Sequence, residues 1–270
     1  MKSIHTIIPY YNSSGTIADT LNSIKNQLNL PVKITIINDC SSKNDFEKLQ
    51  EICSNYKLNI EIINLDKNIG QGNIRLFAMK NIVKSSKSNI FHFLDSDDLV
   101  HPNFYLFSLN YNFKKNTIVT YSHLSFSNIK EIDFSKNIDF NPALTVNKFY
   151  KQGSPSKNIL FIKNKNFNIP SDLSYRLRFE DWIFCSLLKM NDFDFKKSKM
   201  KLSFYRRVLI YGSSISNQLI TLHEISRVAN LMSRYSGVNK KILFMLIFFQ
   251  ELKKSRFTIL SYLNGFKKTK

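Results

Sequence analysis

The sequence predicts an α/β fold with a mostly parallel central sheet flanked by helices, and three observations predict it. Short β-branched runs alternate with helical patterns four times in about the first hundred residues. Polar or acidic residues follow directly after several of these runs, at residues 9–12, at Asp39 and at Asp95. The chain, at 270 residues, is also long enough to bury a sizeable core. In such a sheet, ligands sit outside the carboxyl ends of the strands, so one rim collects the chemistry.

The elements follow in order. "IHTII" (4–8) reads as a buried strand stopped by Pro9. Residues 14–27 fit a helix, with Ile17, Leu21, Ile24 and Leu28 at helical spacing. "VKITIIN" (32–38) is a second strand, and Ser42 caps a helix presenting Phe46, Leu49 and Ile52. "NIEIINL" (59–65) is a third strand, followed by a glycine-led helix over 70–83. "NIFHFL" (89–94) is the fourth strand and runs straight into "DSDD".

Beyond residue 115 the rhythm weakens. Extended structure is expected at 116–128, 158–164 and 200–211, with irregular chain over 129–156. "FEDWIFCSLLKM" (179–190) opens with acids and continues as a helix with Trp182, Ile183, Leu187 and Leu188 facing inward. From about 217 the chain reads as helical.

The charge is strongly basic: 39 Lys and Arg against 20 Asp and Glu, a net +19. That suits polyanions, phosphorylated ligands or an anionic membrane surface. The lysines are dispersed, which argues against a dedicated nucleic-acid module, where basic residues focus beside exposed aromatics. Cys40, Cys53 and Cys185 form neither a metal-site spacing nor an even disulfide set, which suits a reducing compartment. No signal peptide is visible, and no run reaches the roughly 18 apolar residues that would span a bilayer. The expectation is a cytoplasmic protein, either free or lying on a membrane.

Within that basic chain, Asp95, Asp97 and Asp98 crowd into four residues. Like charges this close repel, so a compensating cation is expected. A D-x-D at a strand end can hold Mg²⁺ or Mn²⁺ between its oxygens and a diphosphate. The same residues could instead cap a turn or helix. A phosphatase of the haloacid dehalogenase type also uses D-x-D, but Leu99 and the mid-chain position do not fit it.

The ordered set of motifs resembles the inverting glycosyltransferases of family 2, which have the GT-A fold of nucleotide-diphospho-sugar transferases. "IIPYYNSSGTIADTLNSIKNQ" is similar to that family's opening strand and turn, and "ITIINDCSSKND" to its second strand end. "NLDKNIGQGNIRLFAMKN", "FLDSDD", "FEDWIF" and "YRRVLIYGSSIS" match later segments in the same order, so the resemblance covers about residues 3–216. Asn38 and Cys40 stand where the family usually has Asp and Gly.

The resemblance implies a catalytic domain over 1–216, with a nucleotide-binding half at about 1–115 and an acceptor-binding half at about 116–216. A helical extension would occupy 217–270. It implies a UDP-sugar donor and a divalent metal, Mn²⁺ or Mg²⁺. Pro9, Tyr10 and Tyr11 would line the base pocket, and Asp39 would accept a hydrogen bond from the base. Gly70 would allow close approach and Arg75 would reach the nucleotide. Asp95 and Ser96 would contact the donor, Asp97 and Asp95 the metal, and Arg206 the diphosphate. Asp181 would be the general base, with Glu180 orienting the site or binding the acceptor. Ser213, Ser214, Ser216 and Arg207 are further candidates near the diphosphate, and His223 for a late metal ligand.

The implied reaction is transfer to a cell-surface glycan such as lipopolysaccharide, O-antigen or capsule. A sugar-1-phosphate nucleotidyltransferase is the rival enzyme, but "PYYNSSGT" has one Gly and no basic residue. A non-catalytic polyanion-binding module is the rival from another class. Residues 239–270 combine apolar residues with Lys pairs, as an interfacial helix on an anionic membrane does. A helix docked on the catalytic domain or a homo-oligomer contact fits them as well.

Overall fold

A computed structural model of the chain describes residues 2–110, 117–134, 144–146, 159–162, 180–207 and 222–249. Strands β1 (Ile4–Tyr10), β2 (Lys33–Asn38), β3 (Ile60–Asn64) and β4 (Ile90–Phe93) run parallel in the order β3-β2-β1-β4. β1 and β4 are buried along their whole length, as strands covered on both faces must be. Register sets Tyr10 beside Asn38 and Asn38 beside Asn64, so three strand ends are level at one rim.

The later strands extend the same sheet. β5 (Leu99–Val100), β6 (Thr117–Phe126), β7 (Leu144–Val146), β8 (Ile159–Ile162) and β9 (Asp194–Arg206) complete it among the described residues. β8 is antiparallel to β4, and β6 is antiparallel to β8, so β6 again points the way β4 does. β9 runs parallel to β6, which brings its carboxyl end, at Arg206, to the rim of β1, β2 and β4. β5 and β7 pair antiparallel with β9. β9 starts six residues before the expected 200–211 strand, because Lys196, Lys197 and Lys199 hide its apolar alternation. Residues 208–221 lie outside the described chain.

Helices cover both faces. α1 (Ser14–Lys25), α2 (Lys43–Ser54) and α4 (Phe104–Asn110) pack Ile17, Leu21, Leu49 and Phe104 against Ile8, Ile34 and Ile36. On the other face lie α3 (Gln71–Ala78), α5 (Glu180–Met190), α6 (Leu222–Ser236) and α7 (240–249). There Trp182, Leu187, Val228 and Leu243 close over Ile7, Ile37 and Phe93. The alternation of Ile7 and Ile8 between the two cores follows from the two-residue period of a strand. A π-helical turn, Met79–Val83, continues α3.

Two local findings bear on the expectations. α1 ends at Lys25, and Leu28 is 66% exposed rather than inward. The chain leaves the helix there because Gln27 Nε2 donates to the His101 carbonyl and the Leu28 amide to the Pro102 carbonyl. α6 and α7 dock on the main core through Ile225, Met232, Leu243 and Ile247, so residues 222–249 are joined to the sheet. Among the described residues, no helix is long and apolar enough to cross a membrane.

Candidate active site

The rim is built first from its loops. After β1 the backbone turns through Asn12, at φ 46°. The Asn12 amide donates to Ser41 Oγ, and Asn12 Oδ1 accepts from the Ser42 amide. Tyr10 Oη donates to Asp45 Oδ2, while Asp45 Oδ1 accepts from the Ser14 amide, so Asp45 pins the start of α1. Burial and this neighbouring carboxylate hold the Tyr10 hydroxyl far above its ordinary pKa of 10. At 1% exposure the Tyr10 ring is core, and Tyr11, at 52%, is the ring that faces outward. Pro9 is buried within β1.

Asp39, at the end of β2, is 2% exposed. Its Oδ1 accepts from the Ile69 amide at 2.7 Å, and its Oδ2 from the Gly70 amide at 2.8 Å. A carboxylate so held organises the entry to α3, where Gly70 sits at φ 84°, a conformation glycine adopts without penalty. Cys40 lies at φ 56°, at the place where the resembled family carries Gly. Asn38 donates to Asn64 Oδ1 and accepts from the Ser41 hydroxyl.

The turn after β4 is held differently. Thr20 Oγ1 donates to the carbonyls of Ser96 and Asp98, and Thr16 Oγ1 also reaches the Ser96 carbonyl. Arg206 Nε donates to the Asp97 carbonyl, and the Arg206 amide to Asp98 Oδ1. A second guanidinium nitrogen pairs with Asp19 at 2.6 Å, and the group lies 4.8 Å from the Phe126 ring centroid. Arg206 therefore braces the acidic turn. Ser96 is 8% exposed, and its backbone carbonyl is part of this brace. With the backbone fixed, one carboxylate oxygen from each of Asp95, Asp97 and Asp98 lies within 4.8 Å of the others. Asp97 is the part-exposed member.

Arg75 is the connector. It is 1% exposed and meets Asp95 Oδ1 at 3.1 Å and Glu180 Oε1 at 3.3 Å. Gln71 Nε2 donates to the same Asp95 oxygen. The expectation placed Arg75 against the nucleotide; it is enclosed between the acidic turn and the head of α5. Next to Glu180, Asp181 accepts from the Trp182 amide in the first turn of α5, where the helix dipole favours an anion. Burial pushes the Cys185 thiol well up, Asp181 adds to the rise, and Arg75 opposes it. These three groups thus share one neighbourhood. Trp182 is 3% exposed and belongs to the core.

The sequence reading missed Thr16, Asp19 and Thr20, which form one polar face of α1, and Gln71. Their signal was helical spacing of polar residues opposite Ile17, Leu21 and Ile24. Ser213, Ser214, Ser216 and Val208 lie outside the described residues, as does the side chain of His223.

Three hard-oxygen donors at one strand end suit a Mg²⁺ or Mn²⁺ ion, which takes one or two carboxylates plus phosphate oxygens. Among the described residues at this rim, clustered carboxylates outnumber the guanidinium groups, a local balance that a divalent cation would offset although the protein is basic.

The family model of glycosyl transferase family 2 matches residues 6–177, well over half the chain. The chain belongs to that family. The poly(ribitol-phosphate) beta-N-acetylglucosaminyltransferase TarP of Staphylococcus aureus is 26% identical over 225 residues, covering 71% of this chain and 67% of TarP. A teichoic acid poly(glycerol phosphate) polymerase of Staphylococcus epidermidis is 33% identical over 98 residues, 36% of this chain and 13% of that enzyme. The crystal structure of S. aureus TarS 1–349 with UDP-GlcNAc superposes with a TM-score of 0.61 at 18% identity, covering 92% of this chain and 72% of that one. GalNAc-T7 with UDP, GalNAc and Mn²⁺ gives 0.60 at 11% identity, covering 86% of this chain and 48% of that one. Both structural likenesses confirm the GT-A-like α/β fold expected from the family 2 motifs. This family 2 domain is a glycosyltransferase domain.

Proposed function

We propose that this glycosyltransferase moves a sugar from a UDP-sugar, with inversion, to a hydroxyl of a cell-wall polymer. Asp97 and Asp95 would hold a divalent ion, which would supply positive charge to offset that of the diphosphate. Asp181 takes the proton from the attacking hydroxyl, and Glu180, fixed by Arg75, orients the head of α5. A single displacement needs one base on the acceptor side and charge stabilisation on the leaving-group side. What supports the reading is the Arg75 tie, which joins the acidic turn at Asp95 to the Glu180–Asp181 pair.

The acceptor proposal is narrower than the surface glycans expected from the motifs. The relatives are named for poly(ribitol phosphate) and poly(glycerol phosphate), so a wall teichoic-type polymer replaces lipopolysaccharide, O-antigen and capsule. Residues 1–216 form the catalytic domain and 217–270 the extension. The enzyme works in the cytoplasm at the membrane face. α7 supports that location: it buries Leu243 and Ile247 and exposes Ile242, Met245 and Phe249 beside Lys240 and Lys241.

A panel of UDP-sugars with Mn²⁺ tests the activity by release of UDP. Asp181→Asn should keep donor binding and lose transfer. Transfer at the wild-type rate by that variant overturns the base assignment, and binding of no UDP-sugar overturns the donor.

A further inference from the structure

The polar face of α1 meets the acidic turn carbonyl by carbonyl. The Thr16 and Thr20 hydroxyls donate to the Ser96 carbonyl, and Thr20 also reaches the Asp98 carbonyl. The Asp97 carbonyl between them accepts from Arg206 Nε. Asp19, which shares a helix face with Thr16 and Thr20, accepts from the other end of that guanidinium at 2.6 Å. The Asp95 carbonyl accepts from the Asp98 amide, which closes the turn on itself. One helix face therefore holds three consecutive carbonyls. Two are held directly, and one through an arginine that arrives from β9, 187 residues along the chain from Asp19.

Asp19 decides what Arg206 does. Carboxylates attract a guanidinium strongly, and on Asp97 or Asp98 it would take the place of a cation. Asp19 offers it a carboxylate outside the turn, in a partly buried pair that water screens less than an open one. The Phe126 ring, its centroid 4.8 Å away, covers one face of the guanidinium. With its charge matched by Asp19, Arg206 grips the backbone of the turn, and the three carboxylates come within 4.8 Å of one another. We propose that Asp19 is a positioning residue for the metal-dependent donor site: it acts through Arg206 to keep the acidic turn in the form that takes a divalent ion. The proposal rests on the donor reading above and adds a residue that works at one remove from ion and nucleotide.

Calorimetry of UDP binding to the full chain across a Mn²⁺ series gives the Mn²⁺ concentration for half-maximal binding. Asp19→Asn should raise it about tenfold, the usual scale for a group that orients metal ligands. Asp19→Glu keeps a carboxylate beside Arg206 and should stay within about threefold of the wild type. In an Arg206→Met background, Asp19→Asn should shift it by less than about twofold, because members of one network are not additive. Tyr56→Phe is the control for a merely structural effect. Tyr56 Oη donates to the Ala18 carbonyl and to Asn22 Oδ1, on either side of Asp19, so its loss loosens α1 and leaves the Asp19–Arg206 pair in place. That variant should unfold at lower urea with an unchanged Mn²⁺ dependence. A wild type without Mn²⁺-dependent UDP binding overturns the donor reading and this proposal together. With wild-type binding intact, four results would each overturn the role of Asp19 alone. They are an unchanged Mn²⁺ dependence in Asp19→Asn, an equal shift in the Arg206→Met background, Asp19→Glu as weak as Asp19→Asn, and a matching shift in Tyr56→Phe.

Discussion

Asp39 and Asp95 occupy equivalent places, one at the end of β2 and one at the end of β4, yet the structure employs them in opposite ways. At Asp39 the carboxylate is engaged by the backbone: two amides at the entry to α3 bind its two oxygens. At Asp95 the carboxylate is engaged by side chains instead: Gln71 and Arg75 both donate to its Oδ1, Thr16, Thr20 and Arg206 take the carbonyls of residues 96–98, and the three carboxylates gather. The difference teaches that two acids at equivalent strand ends can be held by different means, one by main-chain amides and the other by side chains that arrive from other elements. The sequence assigned both to the ligand.

Variants can break that contrast. Asp97→Asn should have the largest effect, with Mn²⁺-dependent UDP binding lost in calorimetry and the fold intact, since a like charge is removed. Retained metal-dependent binding would dissolve the chemical half of the comparison. Arg75→Met should destabilise by about 3–5 kcal/mol in urea unfolding, because Asp95 and Glu180 lose the charge that compensates them. Asp39→Ala comes next, with a loss of about 2–4 kcal/mol for the stranded amides of Ile69 and Gly70. If Asp39→Ala instead keeps its stability and loses UDP binding, the two strand ends are alike after all.

Acidification probes the strands behind those ends. Burial, with the Lys33 charge added, lowers His5 on β1 to about 4, and burial lowers His92 on β4 to about 3. Both are neutral in the folded chain at pH 6.5, where the unfolded chain begins to bind their protons. Their contribution is therefore complete above pH 6.5. It is lost as pH falls towards 4 and then 3, at up to about 1.4 kcal/mol per pH unit for each histidine. Urea unfolding between pH 7 and 4.5 checks the slope, and His5→Gln should flatten it. The smallest effect is a gain: Cys40→Gly should stabilise by about 1 kcal/mol, since φ 56° strains any side chain. No gain would mean that the Cys40 thiol, 3.6 Å from the Asp66 carbonyl, offsets that strain.

Much of the first half was legible because local pattern and tertiary environment agree there. β1, β2 and β4 are apolar runs buried on both faces, and Ser42 caps α2 as its sequence suggests. β9 was placed late because lysine alternation looks like any solvated chain until a core exists for Met200 and Leu202 to enter. Tyr10 and Arg75 were read as candidate ligand groups, and residue type alone does not report that both are buried. Each was claimed by a carboxylate distant in sequence: Asp45 for Tyr10, and Asp95 with Glu180 for Arg75.

The sequence alone determined the α/β class, the rim where acids collect and membership of the resemblance that the family model confirms. These follow from periodicity and chain order, which are local properties. Only the tertiary structure decided how each acid is held, and that Arg75 joins the acidic turn to the head of α5. Those outcomes depend on partners 20 and 105 residues away, and burial makes each pairing strong by removing the water that would otherwise compete for it.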